Sequence, residues 1–270
     1  MKIKKLDHLS SIFNEYDAFI IDLWGVMHNG VSLNNSAVKA VSELQSNGKR
    51  IVFLSNAPRP TKKVVEFLKK MKMEDRFLKN VLTSGEAAIN SLKKNKFGLK
   101  FYHLGPKRDD SLFSDIKINK TTLDKCDFIL CTGLFDGESE NLQFYNDLLK
   151  NFTKKKLVCT NPDLIVHRGG EEEYCAGKIA EIFESLGGKV VYFGKPHKEV
   201  YLSCLKSDQK TLVIGDNLKT DIKGANNMNL DSIFITSGVH KSKTIDEKSM
   251  DKLLAEHNVT ANYFQKELTW

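Results

Sequence analysis

No uncharged apolar run in this chain approaches the ~20 residues that cross a bilayer. Met1 to Lys5 begins with the basic residues of a signal peptide, but Asp7, His8, Ser10 and Ser11 interrupt any apolar segment behind it. The expectation is a soluble, cytoplasmic protein with no membrane partner. Paired cysteines are also lacking: Cys126, Cys131, Cys159, Cys175 and Cys204 are odd in number and none form a CxxC. That excludes a zinc ribbon and argues against a disulfide framework, leaving reduced, buried thiols. There is no internal repeat, no low-complexity tract and no Pro/Gly-rich linker. A phosphate-cradling GxxxxGK[ST] loop is absent too, since Gly194-Lys195 runs into Pro196. Finally, the net charge of +7 and pI near 9.0 are not gathered into a basic stripe. The lysines are scattered, with short runs such as Lys154-Lys155-Lys156, which reads as a solvated surface and not as a nucleic-acid site.

What is present is an ordinary globular composition, 41% hydrophobic and 28% charged over 270 residues, enough for one large domain or two modest ones. Short apolar strands alternate with helical patterns, the mark of a parallel sheet wrapped by helices. Phe19 to Ile21 runs into Asp22, and Ile51 to Leu54 runs into Ser55-Asn56. Between them Ala37, Val38, Val41 and Leu44 recur at helical spacing. Tyr192 to His197, Thr211 to Asp216 and Ser232 to Thr236 supply later strands. Four strands of one sheet are thus expected to end on Asp22, Ser55, Lys195 and Asp216, and ligands of an open α/β sheet bind outside its strand carboxyl ends. Between about Glu86 and Lys189 lies material for a second α/β module, with strands expected near 100–104, 127–131 and 157–160 and helices near 141–152 and 175–186.

The acids Asp22, Asp216 and Asp221 repel one another at one point unless a cation compensates. Oxygen-rich sites with open positions suit Mg²⁺, which keeps several waters and meets a phosphate. A lysine and a hydroxyl then donate to phosphate oxygens, while one carboxylate is free to attack phosphorus. Each residue alone is also a turn or capping residue; together and in this order they read as a site.

The set resembles the haloacid dehalogenase superfamily of aspartate-nucleophile phosphohydrolases, in its NagD-like branch. That family carries hydrophobic-DxDG[VT], a strand ending in [ST]N, GKP and GDxxxTD. This chain reads DLWGV at Asp22 to Val26, LSN at Leu54 to Asn56, GKP at Gly194 to Pro196 and GDNLKTDI at Gly215 to Ile222. NPDLIVHRGG, from Asn161 to Gly170, is similar to the branch's cap. The resemblance implies an α/β fold with a Rossmann-like parallel-sheet core, residues 1–86 plus 190–270, and an inserted α/β cap, residues 87–189. It implies a Mg²⁺-dependent phosphatase acting on a small organic phosphate, such as a sugar or aryl phosphate, through an aspartyl-phosphate. Asp22 is then the nucleophile, with Lys195 beside it as the second catalytic residue. Ser55, Asn56, Lys195 and the Gly25 backbone hold phosphate. Asp22, the Trp24 carbonyl, Asp216 and Asp221 hold the metal. His167, Arg168 and Tyr174, with Glu171 to Glu173, are the cap candidates for substrate selection. The partner is a small phosphorylated molecule, with no nucleic acid, and a homodimer through the cap stays open.

The departure is Trp24, where the family's phosphatases usually place an Asp as general acid and base. An indole cannot exchange a proton, and His28 is a candidate substitute. An aromatic there also occurs in the superfamily's carbon–halogen-cleaving members, but that reaction needs no metal and the retained Asp216 and Asp221 argue for one. The alternative from another class is a phosphate-ligand binder or regulatory protein in which the chemistry has weakened.

Overall fold

The computed structural model describes residues 2–113, 119–138, 140–168, 171–239 and 246–270, without the side chains of 111, 112 and 168. Two all-parallel sheets organise the chain. The first has seven strands: β1 (Lys4–Lys5), β2 (Ala18–Ile21), β3 (Arg50–Ser55) and β4 (Val81–Thr83) precede the second sheet in sequence. Five strands form that second sheet: β5 (Lys100–Leu104), β6 (Asn119–Lys120), β7 (Phe128–Cys131), β8 (Lys156–Cys159) and β11 (Lys189–Tyr192). A separate antiparallel hairpin, β9 (Ile165–Arg168) and β10 (Glu171–Tyr174), interrupts it. The chain then returns to the first sheet as β12 (Thr211–Gly215), β13 (Asp231–Ile235) and β14 (Tyr263–Gln265). The strand orders are β1-β14-β13-β12-β2-β3-β4 and β11-β8-β7-β5-β6.

A parallel sheet is covered on both faces, so its strands read as continuous apolar runs. Ala18 to Ile21 is buried throughout. Phe19, Ile21 and Phe53 pack on one face against Ala37, Ala40, Val41 and Leu44, the apolar stripe of helix α1 (Asn35–Ser46). Ile20, Val52, Leu54 and Val213 pack on the other face with Tyr201 and Ala225. The second sheet has the same two-faced burial. Ile129, Cys131 and Leu157 meet Tyr145, Ile179 and Phe183 on one side, and Phe101, Phe128 and Val158 meet Ile89 and Leu92 on the other. All five cysteines are buried and unpaired.

One expectation is corrected. Lys195 does not end a strand of the first sheet. The strand before it, β11, pairs in register with β8, Lys189 opposite Lys156 and Tyr192 opposite Cys159, so it is an edge of the second sheet. That pairing also carries the second sheet to Tyr192, past the boundary expected at residue 189. Only the loop Phe193–Pro196 crosses back to the first sheet. Pairing partners, and not the apolar run itself, decide sheet membership.

Candidate active site

In the first sheet β2 lies between β12 and β3. Asp22, Asp216 and Ser55 leave or end these three neighbouring strands at their carboxyl ends, and Asp22 N–H donates to the Ile214 carbonyl as the β2–β12 ladder closes. Lys195 arrives from the far side. Its backbone N–H donates to Asn56 Oδ1 at 2.8 Å and its carbonyl accepts from Asn56 Nδ2 at 3.1 Å, so a single amide clamps the loop. Gly194 has φ +111° and a Cβ there would run into the same Asn56 oxygen, which requires glycine.

The Lys195 ammonium donates to Asp22 Oδ1 at 2.6 Å and to Asp221 Oδ1 at 2.7 Å, across 173 residues of sequence in the first case. All three side chains are nearly inaccessible. One oxygen each from Asp22, Asp216 and Asp221 lies within 4.8 Å of the others. Asp221 Oδ2 accepts from Asn217 N–H and Asp216 Oδ2 from Val239 N–H. Gly25, at φ +86°, lies against the Asp216 carboxyl so closely that a Cβ would collide with it. Burial raises Asp22 to about 7, with Lys195 opposing the rise. Asp216 is pushed well above the carboxylate range by burial first, then by Asp22 and Asp221. Burial works against the Lys195 charge, but Asp22 and Asp221 override it and hold the ammonium. Ionised together, three acids against one ammonium would leave two negative charges without compensation; the raised Asp22 and Asp216 record that cost, and a dication removes it. The donor set, all oxygen and partly anchored by backbone N–H groups, fits Mg²⁺.

Ser55 is buried, and its Oγ accepts from Ala57 N–H at 3.2 Å, which leaves its proton for a ligand oxygen. Trp24 does not face the acids with any proton-transfer group. Its indole N–H donates to the His167 carbonyl at 2.9 Å, tying the β2 loop to the β9–β10 hairpin. The ring lies edge-on to His28, centroids 5.1 Å apart. His28 itself is buried against Phe67, accepts from Gly30 N–H at Nδ1, and is lowered by burial to about 4. It is neutral at physiological pH, which removes it as a substitute general acid.

That burial has a measurable consequence. Unfolded histidine takes up a proton near the ordinary value of 6.5, and the folded side chain only near about 4. The contribution of this site to stability is therefore complete above pH 6.5 and falls as pH drops toward 4, by about 3 kcal/mol. Denaturant unfolding of the wild type and His28→Asn at pH 7 and pH 4 is expected to show a steeper acid loss in the wild type by that amount. Equal acid losses would contradict it.

A cavity of about 860 Å³ opens above these residues. Its floor includes Asp22, Ser55, Asn56 and Lys195, and its far wall includes Thr132, Asp109 and Tyr174. The carboxyl ends of both parallel sheets thus face one cavity. Among the cap candidates, Glu171, Glu172, Glu173 and Tyr174 line it. His167 is not among the lining residues and meets the site through its carbonyl on Trp24. The Arg168 side chain lies outside the described residues. Asp163 matches none of the four motifs, yet it lines the cavity and accepts from Asn56 Nδ2 at 3.1 Å. Burial raises it to about 6, against the pull of Lys195 and Asn56. Its signal was available: β8 ends in a polar TNPD just as β3 ends in SN.

Comparison with known proteins agrees with this fold. Residues 19–119 match a family model described as haloacid dehalogenase-like hydrolase, and residues 192–260 match a second, HAD-hydrolase-like model. An acid sugar phosphatase of Staphylococcus haemolyticus is 23% identical over 86% of this chain and 90% of its own length. The 5'-nucleotidase YutF of Bacillus subtilis is 25% identical over 84% of this chain and 89% of its own. A crystal structure of a haloacid dehalogenase-like hydrolase from Brucella suis superposes with a TM-score of 0.86 at 28% identity, covering 98% of this chain and all of that one.

Proposed function

Because the chain belongs to the haloacid dehalogenase-like hydrolases, we propose that it is a Mg²⁺-dependent phosphatase of a small organic phosphate, working through an aspartyl-phosphate on Asp22. The observation that carries this reading is the convergence of Asp22, Lys195, Asp216 and Asp221, with salt links of 2.6 and 2.7 Å and acid oxygens within 4.8 Å. Similarity to an acid sugar phosphatase and a 5'-nucleotidase supports the reaction class.

In this reading Asp22, the Trp24 carbonyl, Asp216 and Asp221 hold the metal. When bound, it neutralises phosphate charge and balances the acids. Lys195 spends two of its N–H groups on Asp22 and Asp221 and has a third for a phosphoryl oxygen. The Ser55 hydroxyl donates to another. The Asp22 carboxylate attacks phosphorus, the bond to the ester oxygen breaks, and that oxygen leaves with the electron pair. An aryl leaving group departs as the phenolate; an alkyl one needs a proton that Trp24 cannot give. Water then attacks the acyl phosphate, releases inorganic phosphate and a proton, and restores Asp22.

A second reading, a phosphate-ligand binder, is favoured by one observation: the indole at position 24 is committed to the His167 carbonyl. The two part on turnover. Steady phosphate release from 4-nitrophenyl phosphate with Mg²⁺, lost on chelation and restored by added Mg²⁺, is the expected result. Binding of phosphate esters with no release from any member of a broad panel would select the binder.

A further inference from the structure

Away from the acids, the second sheet carries a chain of three side chains that ends on the cavity wall. His103 lies near the end of β5 and Thr132 follows β7, and the parallel pairing of Leu104 with Cys131 brings them together. His103 Nδ1 is 2.7 Å from Asp110 Oδ1, and its Nε2 is 2.9 Å from Thr132 Oγ1. Both His103 and Thr132 are buried, and Thr132 lines the cavity.

The direction of these bonds can be assigned. Asp110 also accepts from Lys120 Nζ at 2.6 Å, and Lys120 first, then His103, holds its carboxyl below the usual range. It is ionised and can only accept, so His103 Nδ1 carries a proton. Burial lowers His103, which is therefore neutral at physiological pH, and its Nε2 bears a lone pair. Thr132 must donate to that lone pair. Its one proton is consumed, so the oxygen of this cavity-lining residue can only accept. Asp109 stands in the same turn, 2% exposed and on the same wall, with Oδ1 facing Arg59 Nε at 3.4 Å. It adds carboxyl oxygens.

We propose that Thr132, oriented by His103 and Asp110, is a specificity-determining acceptor for a hydroxyl or ammonium group on the organic part of the phosphate ester. The inference rests on the hydrolase reading for its substrate but not for its geometry. At Thr132 a ligand carbonyl or phosphate oxygen would set acceptor against acceptor, whereas a polyol hydroxyl donates to it; Arg59 and Arg108, which line the same cavity, are the donors for anionic groups. His103 and Asp110 are positioning residues: they act by fixing where the Thr132 proton points.

The test uses a matched pair of primary alkyl phosphates, glucose 6-phosphate and cyclohexylmethyl phosphate. They share a leaving-group type and differ in hydroxyls. Wild-type protein with Mg²⁺ is expected to prefer the sugar phosphate in kcat/KM. Thr132→Val, which keeps shape and removes the hydroxyl, is expected to reduce that preference ~10-fold or more. Thr132→Ser restores it, and its retention of the preference shows that the effect is not misfolding. A wild type with no preference, or a Thr132→Val preference equal to wild type, overturns the proposal. If 4-nitrophenyl phosphate is also inert, the hydrolase reading fails separately. Because position 24 supplies no proton to an alkyl leaving group, the same ratio is also read from calorimetric Kd values for the two esters whether or not they turn over, with the same criterion.

Discussion

Asp22→Asn is expected to lower phosphate release from 4-nitrophenyl phosphate by roughly 10³-fold or more, while the protein stays folded. An amide oxygen is a poor nucleophile, and no neighbouring acid can take over. Asp221 is held by Lys195 and by Asn217 N–H, and Asp216 is pinned by Val239 N–H. The stability side of the prediction follows from the Asp22 acidity. Burial raises this carboxyl to about 7, against 3.8 for the free side chain. A raised acid contributes stability at low pH and loses it as pH rises through the folded value, so near and above pH 7 its charge is a burden on the metal-free fold. Asparagine removes that burden and leaves Lys195 paired with Asp221 at 2.7 Å. Without metal, the thermal midpoint at pH 8 is therefore expected to be unchanged or higher. Activity above a tenth of wild type would contradict the role assigned to Asp22, and a sharply lowered midpoint would contradict the electrostatics.

The second large effect comes from Trp24. The two halves of the reaction ask for different help. Forming the acyl phosphate from an aryl ester needs no proton donor, because phenolate leaves unaided. Hydrolysing it needs a base for the incoming water, and the side chain at position 24 has none. Of the near groups, His28 Nδ1 accepts from Gly30 N–H, and Asp163, on the loop after β8, already accepts from Asn56 at one oxygen. Loss of general base catalysis slows a step by ~10²–10⁴-fold. The expected trace with 4-nitrophenyl phosphate is a rapid release approaching one phenolate per protein, then a much slower steady rate. A linear trace from the first turnover would mean that water is activated by a group other than those assigned above.

Much of this arrangement is legible in the sequence, for physical reasons. Buried parallel strands such as Phe19 to Ile21 and Leu212 to Ile214 must be apolar throughout, and the polar residue after each must sit at a sheet edge. That is how Asp22, Ser55 and Asp216 can be read as neighbours before their pairing is known. Lys195 is misplaced by the same logic, since a short apolar run such as Val190-Val191-Tyr192 fits either sheet and only hydrogen-bond partners decide. The tie from Trp24 to His167 was not legible at all. It joins an indole to a backbone carbonyl 143 residues away, and carbonyls have no sequence signature. The chain from Asp110 through His103 to Thr132 is hidden likewise, because each member is an ordinary residue until β5 and β7 pair.

The central claim is that Asp22 itself carries the phosphoryl group. The most direct measurement is an acid quench during the early phase with 4-nitrophenyl phosphate and Mg²⁺, followed by peptide mass analysis. The account predicts one phosphoryl group on the peptide containing Asp22, removed by hydroxylamine and absent from Asp22→Asn. A phosphoryl group on Ser55 or any other residue, or a rapid phase that leaves no covalent phosphate on the protein, would contradict it.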